Sequence, residues 1–597
     1  MVQHQKQPRV IMEICELRQK LLDHDGHALV IGGPGSGKTT IALKKAVLRI
    51  EAGLQPGQSV LFLSFSRAAV ARVAEAVQTN VPKEHKAALN MQTFHSFFWE
   101  TLASNAYLLG SPKPLKILLP HDEEILFGKI KKKNRKDSNP EWRAWLIDRD
   151  RLLREEGKMA FDLFFPSAVQ LVERSSHIRR MIAQRYPLII VDEAQDTNSD
   201  AWRCIELLSR ETTIICLADL EQQIFDHLPG IGPERIEAIK AALDPLKIDL
   251  AGQNHRSPDS EIVTFAEDVL KGIVRPGPYK GVSSLSYNPK PDKYDAKRVV
   301  RMALGTLQRR IRKDTGKWGQ SIAILTHSGS AAAKISAALN SGKKPVKHKL
   351  LFDENVALLS ARIAAYLLEP KLPAERLNNI VSTLERFTNI ERAKGSAKVA
   401  GLQKWIDKVK TGKLPTAAFV KSIASLIDEL GQSPFSGSPE KDWLVMKNLL
   451  RQSFDQQLQQ VAVQLDYLVS FNRGKRIAAG LSQLWEQHGC YKGAENAFEI
   501  ALAQDQLVGG LDDPNGIQIM TVHKSKGKQF DGVIIFRSGR FDEKEGQLSS
   551  FIWRDDVRPY CRSRKILRVA ITRAKMHTLI LSPIYPYCEI TGAYQLV

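Results

Sequence analysis

Short apolar runs that end in a polar or glycine-rich turn recur along the chain and alternate with helical patterns. Continuous apolar runs are typical of strands buried on both faces, and their alternation with helices is typical of a parallel α/β sheet. A second set of runs begins at Ser321. The predicted strands are 28–31, 59–63, 186–191, 213–218, 321–325, 517–521, 533–536 and 578–581. The pattern therefore predicts two α/β cores.

Two helical and polar stretches interrupt this alternation, near residues 98–181 and 371–507. Each contains a basic segment, because Lys129–Arg154 and Lys371–Lys413 both carry ten Lys or Arg and four Asp or Glu. A run of like charge is usually a solvated face, but two such runs in one chain also fit contact with a phosphate backbone. Both stretches are interpreted as helical insertions into the two cores.

The overall charge favours a polyanionic partner. The chain has 86 Lys and Arg against 65 Asp and Glu, a net charge of +21, which indicates nucleic acid first and an anionic membrane surface second. No apolar stretch is long enough to span a bilayer, and Glu13 and Glu16 break the N-terminal apolar run, so neither a membrane anchor nor a signal peptide is expected. The six cysteines form no CxxC pair, which argues against a disulfide framework or thiolate zinc site. We expect a cytoplasmic protein.

A glycine-rich loop follows the first predicted strand, and a helical pattern over 40–50 follows the loop. It has the spacing G-x-x-x-x-G-K-[ST], in which backbone amides close around phosphates at a helix N-terminus. Lys38 is expected to reach the β- and γ-phosphates, and the Thr39 hydroxyl is expected to bind Mg²⁺. The predicted nucleotide-binding residues of this loop are Gly32, Gly33, Pro34, Gly35, Ser36, Gly37, Lys38, Thr39 and Thr40. The loop alone fits a kinase as well as an ATPase.

Another apolar run ends in two adjacent carboxylates, Asp192 and Glu193. Asp192 is expected to hold Mg²⁺ through its water shell, and Glu193 is expected to activate a water for attack on the γ-phosphate. A small-molecule kinase needs no general base directed at water, so the pair favours nucleotide hydrolysis. An Asp-Glu pair by itself is common in solvated acidic turns, but the upstream loop favours the catalytic interpretation.

The string DEAQDTN over 192–198 resembles motif II of the UvrD/Rep/PcrA-like helicases of superfamily 1A. Further stretches resemble the other motifs of this family in the family's order, at 63–67, 92–97, 217–225, 253–257, 521–530 and 569–574. The resemblance implies an α/β fold with two RecA-like P-loop NTPase domains, whose parallel sheets are flanked by helices and which each carry a mainly helical insertion. The implied domains are 1A (1–97 and 182–249), 1B (98–181), 2A (250–370 and 508–597) and 2B (371–507).

The resemblance also implies that ATP binds with Mg²⁺ in a cleft between the two RecA-like domains. Gln222 would sense the γ-phosphate or the attacking water, and Arg256 and Arg573 match the family's arginine fingers. Because these groups come from opposite domains, closure of the cleft and hydrolysis would be coupled. The implied catalytic residues are Lys38, Glu193, Gln222, Arg256 and Arg573, with Thr39 and Asp192 at the metal.

Several nucleotide contacts depart from the family's pattern. His255 stands where the family has an aromatic that stacks on adenine, and Gln529 replaces the Glu that contacts the ribose. Gln19 is the candidate adenine-reading glutamine. Arg562–Lys565 replace acidic residues at the start of motif VI, and Arg568 replaces a Tyr. We expect ATP as the substrate, with tolerance of GTP or deoxynucleotides.

Single-stranded DNA is implied to lie across both cores, where aromatic side chains stack on bases in a sequence-tolerant way. Phe94 fits core packing equally well, and His227 and Leu228 replace a Trp and an Arg of the family. Contacts of 131–133 with phosphates would make binding dependent on salt. The candidate DNA contacts are Phe65, Ser66, Arg67, Phe94, His95, Lys131, Lys132, Lys133, Phe225, His227, Thr521 and His523.

The leading hypothesis is an ATP-dependent helicase that translocates 3′ to 5′ on single-stranded DNA and unwinds duplex DNA. A second is a DNA-activated NTPase sensor that works with a separate nuclease, as do helicase subunits of Gabija-type bacterial anti-phage systems, and the altered motifs III, V and VI fit this use. A non-catalytic basic scaffold with a relic P-loop is disfavoured because every catalytic position is retained.

Overall fold

The computed structural model describes residues 15–65, 67–110, 114–131, 134–219, 234–250, 259–290, 295–341, 344–351, 355–432, 435–466, 472–508, 515–542, 545–554, 556–592 and 594–596. Part of the predicted site lies outside these ranges, so the roles assigned to those residues stay predictions. They are Ser66, Lys132, Lys133, Gln222, Phe225, His227, His255 and Arg256.

The described residues form sixteen strands. In chain order these are β1 (Ala28–Ile31), β2 (Val60–Ser64), β3 (Leu89–Thr93), β4 (Lys116–Leu118), β5 (Lys158–Ala160), β6 (Leu188–Val191), β7 (Thr213–Ala218), β8 (Leu246–Asp249), β9 (Val282–Tyr287), β10 (Ser321–Thr326), β11 (Lys349–Leu351), β12 (Gly516–Thr521), β13 (Phe530–Phe536), β14 (Gly539–Asp542), β15 (Gly546–Ser549) and β16 (Ala574–Pro583).

The helices of the described residues are, in chain order, α1 (Glu16–Asp23), α2 (Lys38–Glu51), α3 (Arg67–Asn80), α4 (Phe94–Ser104), α5 (Pro120–Phe127), α6 (Pro140–Arg151), α7 (Phe164–Arg174), α8 (Ser176–Arg185), α9 (Ser199–Ser209), α10 (Glu234–Leu243), α11 (Ile262–Lys271), α12 (Ala296–Thr315), α13 (Gly329–Asn340), α14 (Asn355–Leu368), α15 (Arg376–Ala393), α16 (Val399–Lys410), α17 (Ala418–Leu430), α18 (Pro439–Gln452), α19 (Gln456–Asp466), α20 (Asn472–His488), α21 (Ala494–Val508), α22 (Val522–Ser525) and α23 (Cys561–Ile571).

Twelve strands form two six-stranded sheets. Their orders are β3-β2-β6-β7-β1-β8 and β11-β12-β10-β13-β16-β9. Parallel pairs join the central strands of both sheets, for example β6 to β7 and β10 to β13. β6 and β10 are buried along their whole length, as expected of parallel strands covered by helices on both faces. The predicted α/β fold with two parallel sheets is therefore confirmed.

The chain divides into two compact units. The first comprises Met1–Phe97, Val169–His348 and Pro514–Val597, and it contains the central strands of both large sheets. The second comprises Phe98–Ala168 and Lys349–Asp513 and is mainly helical.

This division differs from the predicted boundary at residue 370, because α14 belongs to the helical unit. Eleven of its fourteen residues are buried, so the helix is apolar on nearly all sides and fits the centre of a helical bundle better than the surface of a sheet. The other divisions fall after residues 97, 168 and 513, whereas the predicted boundaries fall after 97, 181 and 507.

None of the helices in the described part of the chain is long and apolar enough to cross a membrane.

Candidate nucleotide-hydrolysis site

The phosphate-binding loop connects β1 to α2 at the carboxyl edge of the first sheet. The Gly32 amide donates to the carbonyl of Ala218 at 3.1 Å, which ties the start of the loop to the end of β7. Gly35 and Gly37 have φ values of 83° and 86°, a conformation that favours glycine. The ammonium of Lys38 donates to the carbonyls of Gly32 and Gly33. The lysine therefore curves back over the loop in which phosphates would be held.

An arginine of α1 supports this loop from the inside. Arg18 is 3% exposed, and its Nη2 donates to the Ser36 carbonyl at 3.2 Å. The neighbouring Gln19 is exposed, and its amide donates instead to Asp23 at 2.8 Å. The Gln19 amide is thus engaged one helical turn away on the surface, and its adenine-reading role stays a prediction. Sequence reasoning overlooked Arg18, which carries no motif signal.

The acidic pair lies at the end of β6, two strands from β1. The Asp192 amide donates to the Leu63 carbonyl at 2.8 Å, so the β-ladder with β2 continues to the first carboxylate. Glu193 has a φ of 53°, which is uncommon for a residue with a side chain. The side-chain amide of Gln195 makes two hydrogen bonds: Nε2 donates to Glu193 Oε2 at 2.6 Å, and Oε1 accepts from the backbone N–H of Asp219. Gln195 therefore orients the predicted general base against the end of β7.

The charges around the pair hold Glu193 ionised. Burial and the charge of Glu193 raise the pKa of Asp192 to about 6. Burial also opposes ionisation of Glu193, but the cations Lys526, Arg72 and Lys38, together with the hydrogen bond from Gln195, outweigh it and lower the pKa of Glu193 to about 2. Of the two adjacent carboxylates, Glu193 is thus stabilised in its charged form, and its charge disfavours ionisation of Asp192.

The residues at this edge fit a magnesium ion. Asp192 is 3% exposed, and among the described residues its Oδ2 accepts no hydrogen bond. A buried carboxylate oxygen without a donor is costly, and carboxylate and hydroxyl oxygens are the donors that Mg²⁺ prefers. Thr39 lies in the first turn of α2, at the same edge of the sheet.

Groups from the second sheet reach the same region within the first unit. Arg573 follows α23, is 1% exposed, and its Nε donates to the Val569 carbonyl at 2.9 Å. Burial and the nearby Arg72 lower the pKa of Arg573 to about 10, while Glu193 and Asp219 oppose this change. Arg573 is therefore charged at neutral pH and close enough to Glu193 to interact with it electrostatically. Arg256, the other predicted finger, lies outside the described residues.

Two further cations of the second sheet contact the first. Lys526 hydrogen-bonds the carboxylate of Asp196, and both side chains are buried. Arg568 is fully buried, donates to Glu267 at 2.6 Å and lies 3.9 Å from Asp219. Sequence reasoning noted Arg568 only as a replacement for Tyr and assigned no role to Lys526, although Lys526 lies within the stretch 521–530 and Arg568 directly precedes the stretch 569–574.

The remaining predicted contacts are dispersed. Gln529 is half-buried just before β13, and its contact with the ribose stays a prediction. His523 packs edge-on against Trp553, with ring centroids 5.1 Å apart. Thr521 ends β12 and is half-buried. Lys131 is exposed in the helical unit.

The aromatic side chains of the first core are largely internal. Phe94 has no exposed surface and packs on Phe65, with ring centroids 4.7 Å apart; this favours its core-packing interpretation, and its contact with DNA stays a prediction. Phe65 is half-buried, as is Arg67. Burial and the charge of Arg67 lower the pKa of His95 to about 4, so its imidazole is neutral at physiological pH. Phe97 and Phe98 are buried.

Two family models match this chain over most of its length. The UvrD/REP helicase N-terminal domain matches residues 16–149 and 129–230, and the UvrD-like helicase C-terminal domain matches residues 377–584. The chain belongs to the UvrD/REP helicase family. The N-terminal match contains the phosphate-binding loop and the acidic pair, and the C-terminal match contains Lys526, Arg568 and Arg573.

Relatives within the UvrD/REP family are distant in sequence. The ATP-dependent DNA helicase PcrA of Staphylococcus aureus is 23% identical over 615 residues, which cover 92% of this chain and 80% of PcrA. A probable DNA helicase II homolog of Mycoplasma pneumoniae is 22% identical over 93% of this chain and 82% of its own. DNA helicase II of Haemophilus influenzae is 25% identical over 44% of this chain and 41% of its own. This family consists of ATP-dependent DNA helicases, so the predicted family is confirmed.

Proposed function

We propose that the protein hydrolyses ATP in order to move 3′ to 5′ along single-stranded DNA and unwind duplex DNA. The observation that carries this proposal is the convergence of Glu193 and Arg573. A carboxylate next to the phosphate-binding loop and an arginine from the second sheet interact electrostatically within one compact unit. Hydrolysis that needs groups from two sheets is coupled to their relative movement, which is what a translocase requires.

The residues have distinct roles in this proposal. Lys38 binds the β- and γ-phosphates, and Glu193, oriented by Gln195, accepts a proton from the attacking water. Arg573 stabilises the charge that develops on the transferred phosphoryl group. Thr39 and Asp192 would hold Mg²⁺, which would supply neutralisation of the negative charge on the phosphates. The direction of translocation rests on the family resemblance.

The DNA path is proposed from residues at the carboxyl ends of strands in the two sheets. Phe65, Arg67 and His95 lie at the edge of the first sheet, and Thr521 and His523 lie at the edge of the second. A neutral His95 stacks on bases rather than pairing with phosphates. The net charge of +21 supports sequence-independent attraction to the backbone.

The test combines ATP hydrolysis with strand displacement on duplexes that carry a 3′ or a 5′ single-stranded tail. We expect hydrolysis to rise with single-stranded DNA and displacement to occur on the 3′-tailed substrate. E193Q should lower turnover by about 10²–10⁴-fold, whereas E211Q, at an exposed turn before β7, should behave as the wild type. Full DNA-stimulated turnover in E193Q would refute the site.

The same experiment separates the alternative sensor function. ATP hydrolysis stimulated by DNA without displacement of either tailed duplex would refute the helicase proposal and favour a DNA-activated NTPase that signals to a partner such as a nuclease.

A further inference from the structure

An arginine that no motif assigns stands beside the acidic pair. Arg72 lies in the second turn of α3, the helix that follows β2. Since β2 pairs with β6, and the Asp192 amide continues that ladder to Leu63, the start of α3 covers the edge where Asp192 ends its strand. Arg72 Nη2 lies 3.6 Å from Asp192 Oδ2. Helix α3 therefore brings a cation to the predicted metal-binding oxygen.

The contact is an ion pair without a hydrogen bond. A separation of 3.6 Å exceeds hydrogen-bond distance, and Oδ2 of Asp192 accepts no hydrogen bond from the described residues. The Asp192 side chain is 4% exposed and that of Arg72 is 24% exposed, so the attraction is only partly screened by water. The arginine stands close enough to neutralise the carboxylate but leaves its oxygen available to another ligand.

The other charges around Asp192 point to the same role for Arg72. Glu193 adds a second negative charge beside Asp192, and Lys38 adds a positive one. The Lys38 ammonium, however, donates to the carbonyls of Gly32 and Gly33 in its own loop. Among the described cations that act on Asp192, Arg72 is the one within ion-pair distance of its carboxylate.

We propose that Arg72 is a positioning residue that serves as the counter-ion of Asp192 before metal binds, and that it competes with Mg²⁺ for this carboxylate. This role rests on the proposed nucleotide site, and it makes Arg72 a determinant of how strongly nucleotide binding depends on Mg²⁺. Without metal, Arg72 offsets the repulsion between the acidic pair and the phosphates of a nucleotide. With metal, its positive charge opposes the ion, so binding of Mg²⁺ must weaken the contact between Arg72 and Asp192.

Thermodynamic linkage makes this competition measurable. Suppose that Arg72 favours nucleotide binding without metal and disfavours binding of Mg²⁺. Loss of Arg72 must then weaken nucleotide binding in a chelator, and added Mg²⁺ must increase the nucleotide affinity more than it does in the wild type. The informative quantity is a ratio for one nucleotide: its dissociation constant in EDTA divided by its dissociation constant in saturating Mg²⁺. A merely structural role for Arg72 would change both constants together and leave their ratio unaltered.

The experiment titrates the full chain with a fluorescent N-methylanthraniloyl ADP, in EDTA and in Mg²⁺. R72Q should increase the ratio by about three- to tenfold, as expected for loss of a partly screened ion pair. R72K keeps the charge and should stay within about twofold of the wild type. R49Q is the matched control, because Arg49 lies half-buried in the last turn of α2 and donates to the Gly53 carbonyl. An unchanged ratio in R72Q, or the same increase in R72K as in R72Q, would overturn the proposal.

D192N separates failure of the inference from failure of the site. If D192N lowers the ratio while R72Q leaves it unchanged, Asp192 binds the metal as proposed and only the role of Arg72 is refuted. If D192N leaves the ratio at the wild-type value, Asp192 does not bind the metal, and both the metal role in the proposed function and the role of Arg72 are refuted.

Discussion

The ammonium of Lys526 hydrogen-bonds the carboxylate of Asp196, 330 residues away along the chain. Lys526 follows α22, next to the second sheet, whereas Asp196 ends the short turn after β6 in the first. Both side chains are almost fully buried. The positive charge of Lys526 also lowers the pKa of Glu193, three residues before Asp196. Lys526 thus links the second sheet to the first and lowers the pKa of the predicted general base, Glu193.

Replacing Lys526 by Met should affect both stability and the pH profile. The buried Asp196 carboxylate would lose its cation, and breaking a buried pair typically costs about 3–5 kcal/mol. The pKa of Glu193 should rise, because Lys526 is the positive charge that lowers this pKa most. Since the general base must be ionised, the acidic limb of the ATPase pH profile should move to higher pH.

Thermal unfolding and the pH dependence of ATP hydrolysis check this prediction. K313M, which removes an exposed lysine from the last turn of α12, is the control and should change neither. D196N combined with K526M should recover part of the stability, because no buried charge is then left unpaired. A K526M variant as stable as the wild type, with an unshifted profile, would show that the pair is dispensable.

Arg573 is expected to act on turnover rather than on nucleotide binding. Its guanidinium is buried and charged, and it interacts with Glu193 and Asp219. Arginine fingers contribute about 10³–10⁵ in rate in P-loop NTPases, so R573A should lower kcat by about 10³-fold or more. The dissociation constant for a nucleotide should change far less.

Steady-state ATPase kinetics and fluorescent nucleotide binding separate these two effects. K575A removes an exposed cation two residues away and should retain wild-type turnover. Because Arg573 also donates to the Val569 carbonyl of the preceding helix α23, R573K serves as the variant that preserves charge and packing. Turnover near the wild-type level in R573K would argue against a finger that needs the guanidinium.

The central strands were predictable because each is a continuous apolar run. The predicted strands 28–31 and 213–218 coincide with β1 and β7. β3, β8 and β9 were not predicted as strands, since they lie at the sheet edges and mix buried with half-buried or exposed positions. Edge strands lack the two-sided burial that makes a central strand recognisable from its sequence.

The site divides in the same way between local motifs and distant contacts. The phosphate-binding loop and the acidic pair were predictable because their residues are adjacent and their spacing is dictated by phosphate and metal chemistry. Arg18, Arg72 and Lys526 act through contacts with residues distant in sequence, and a single basic residue in a chain of net charge +21 carries no signal of its own. Only the folded chain shows which cations face the acidic pair.

Arg18 is predicted to maintain the shape of the phosphate-binding loop. R18M would leave the buried Ser36 carbonyl without its donor, a loss typically of about 1–3 kcal/mol. We expect a lower melting temperature and roughly tenfold weaker nucleotide binding, since about 1.4 kcal/mol corresponds to a factor of ten. Fluorescent nucleotide titration measures the affinity.

Q19A is the informative comparison, because Gln19 is exposed and bonds to Asp23. It should leave the affinities for ATP and GTP unchanged. A selective loss of ATP affinity in Q19A would instead support the adenine-reading role expected from the sequence.

Glu123 on α5 is predicted to make the helical unit less stable at alkaline pH. Burial, and then the charge of Asp162, raise the pKa of Glu123 to about 7. A carboxyl with a raised pKa favours the folded state below its unfolded pKa of about 4.5, and this contribution is lost as the pH rises through 7. Ionised Glu123 therefore opposes folding at pH 8 and has no such effect at pH 4.5.

E123Q should remove this pH dependence. Allowing for solvent screening of a partly buried group, we expect a gain of about 1 kcal/mol at pH 8, which corresponds to about 2–4 °C in melting temperature. Thermal unfolding of the full chain at pH 5 and pH 8 measures this difference. E84Q, at an exposed glutamate with no such burial, should show no gain. An equal gain for E123Q at both pH values would mean that packing, rather than the charge of Glu123, limits the stability of this unit.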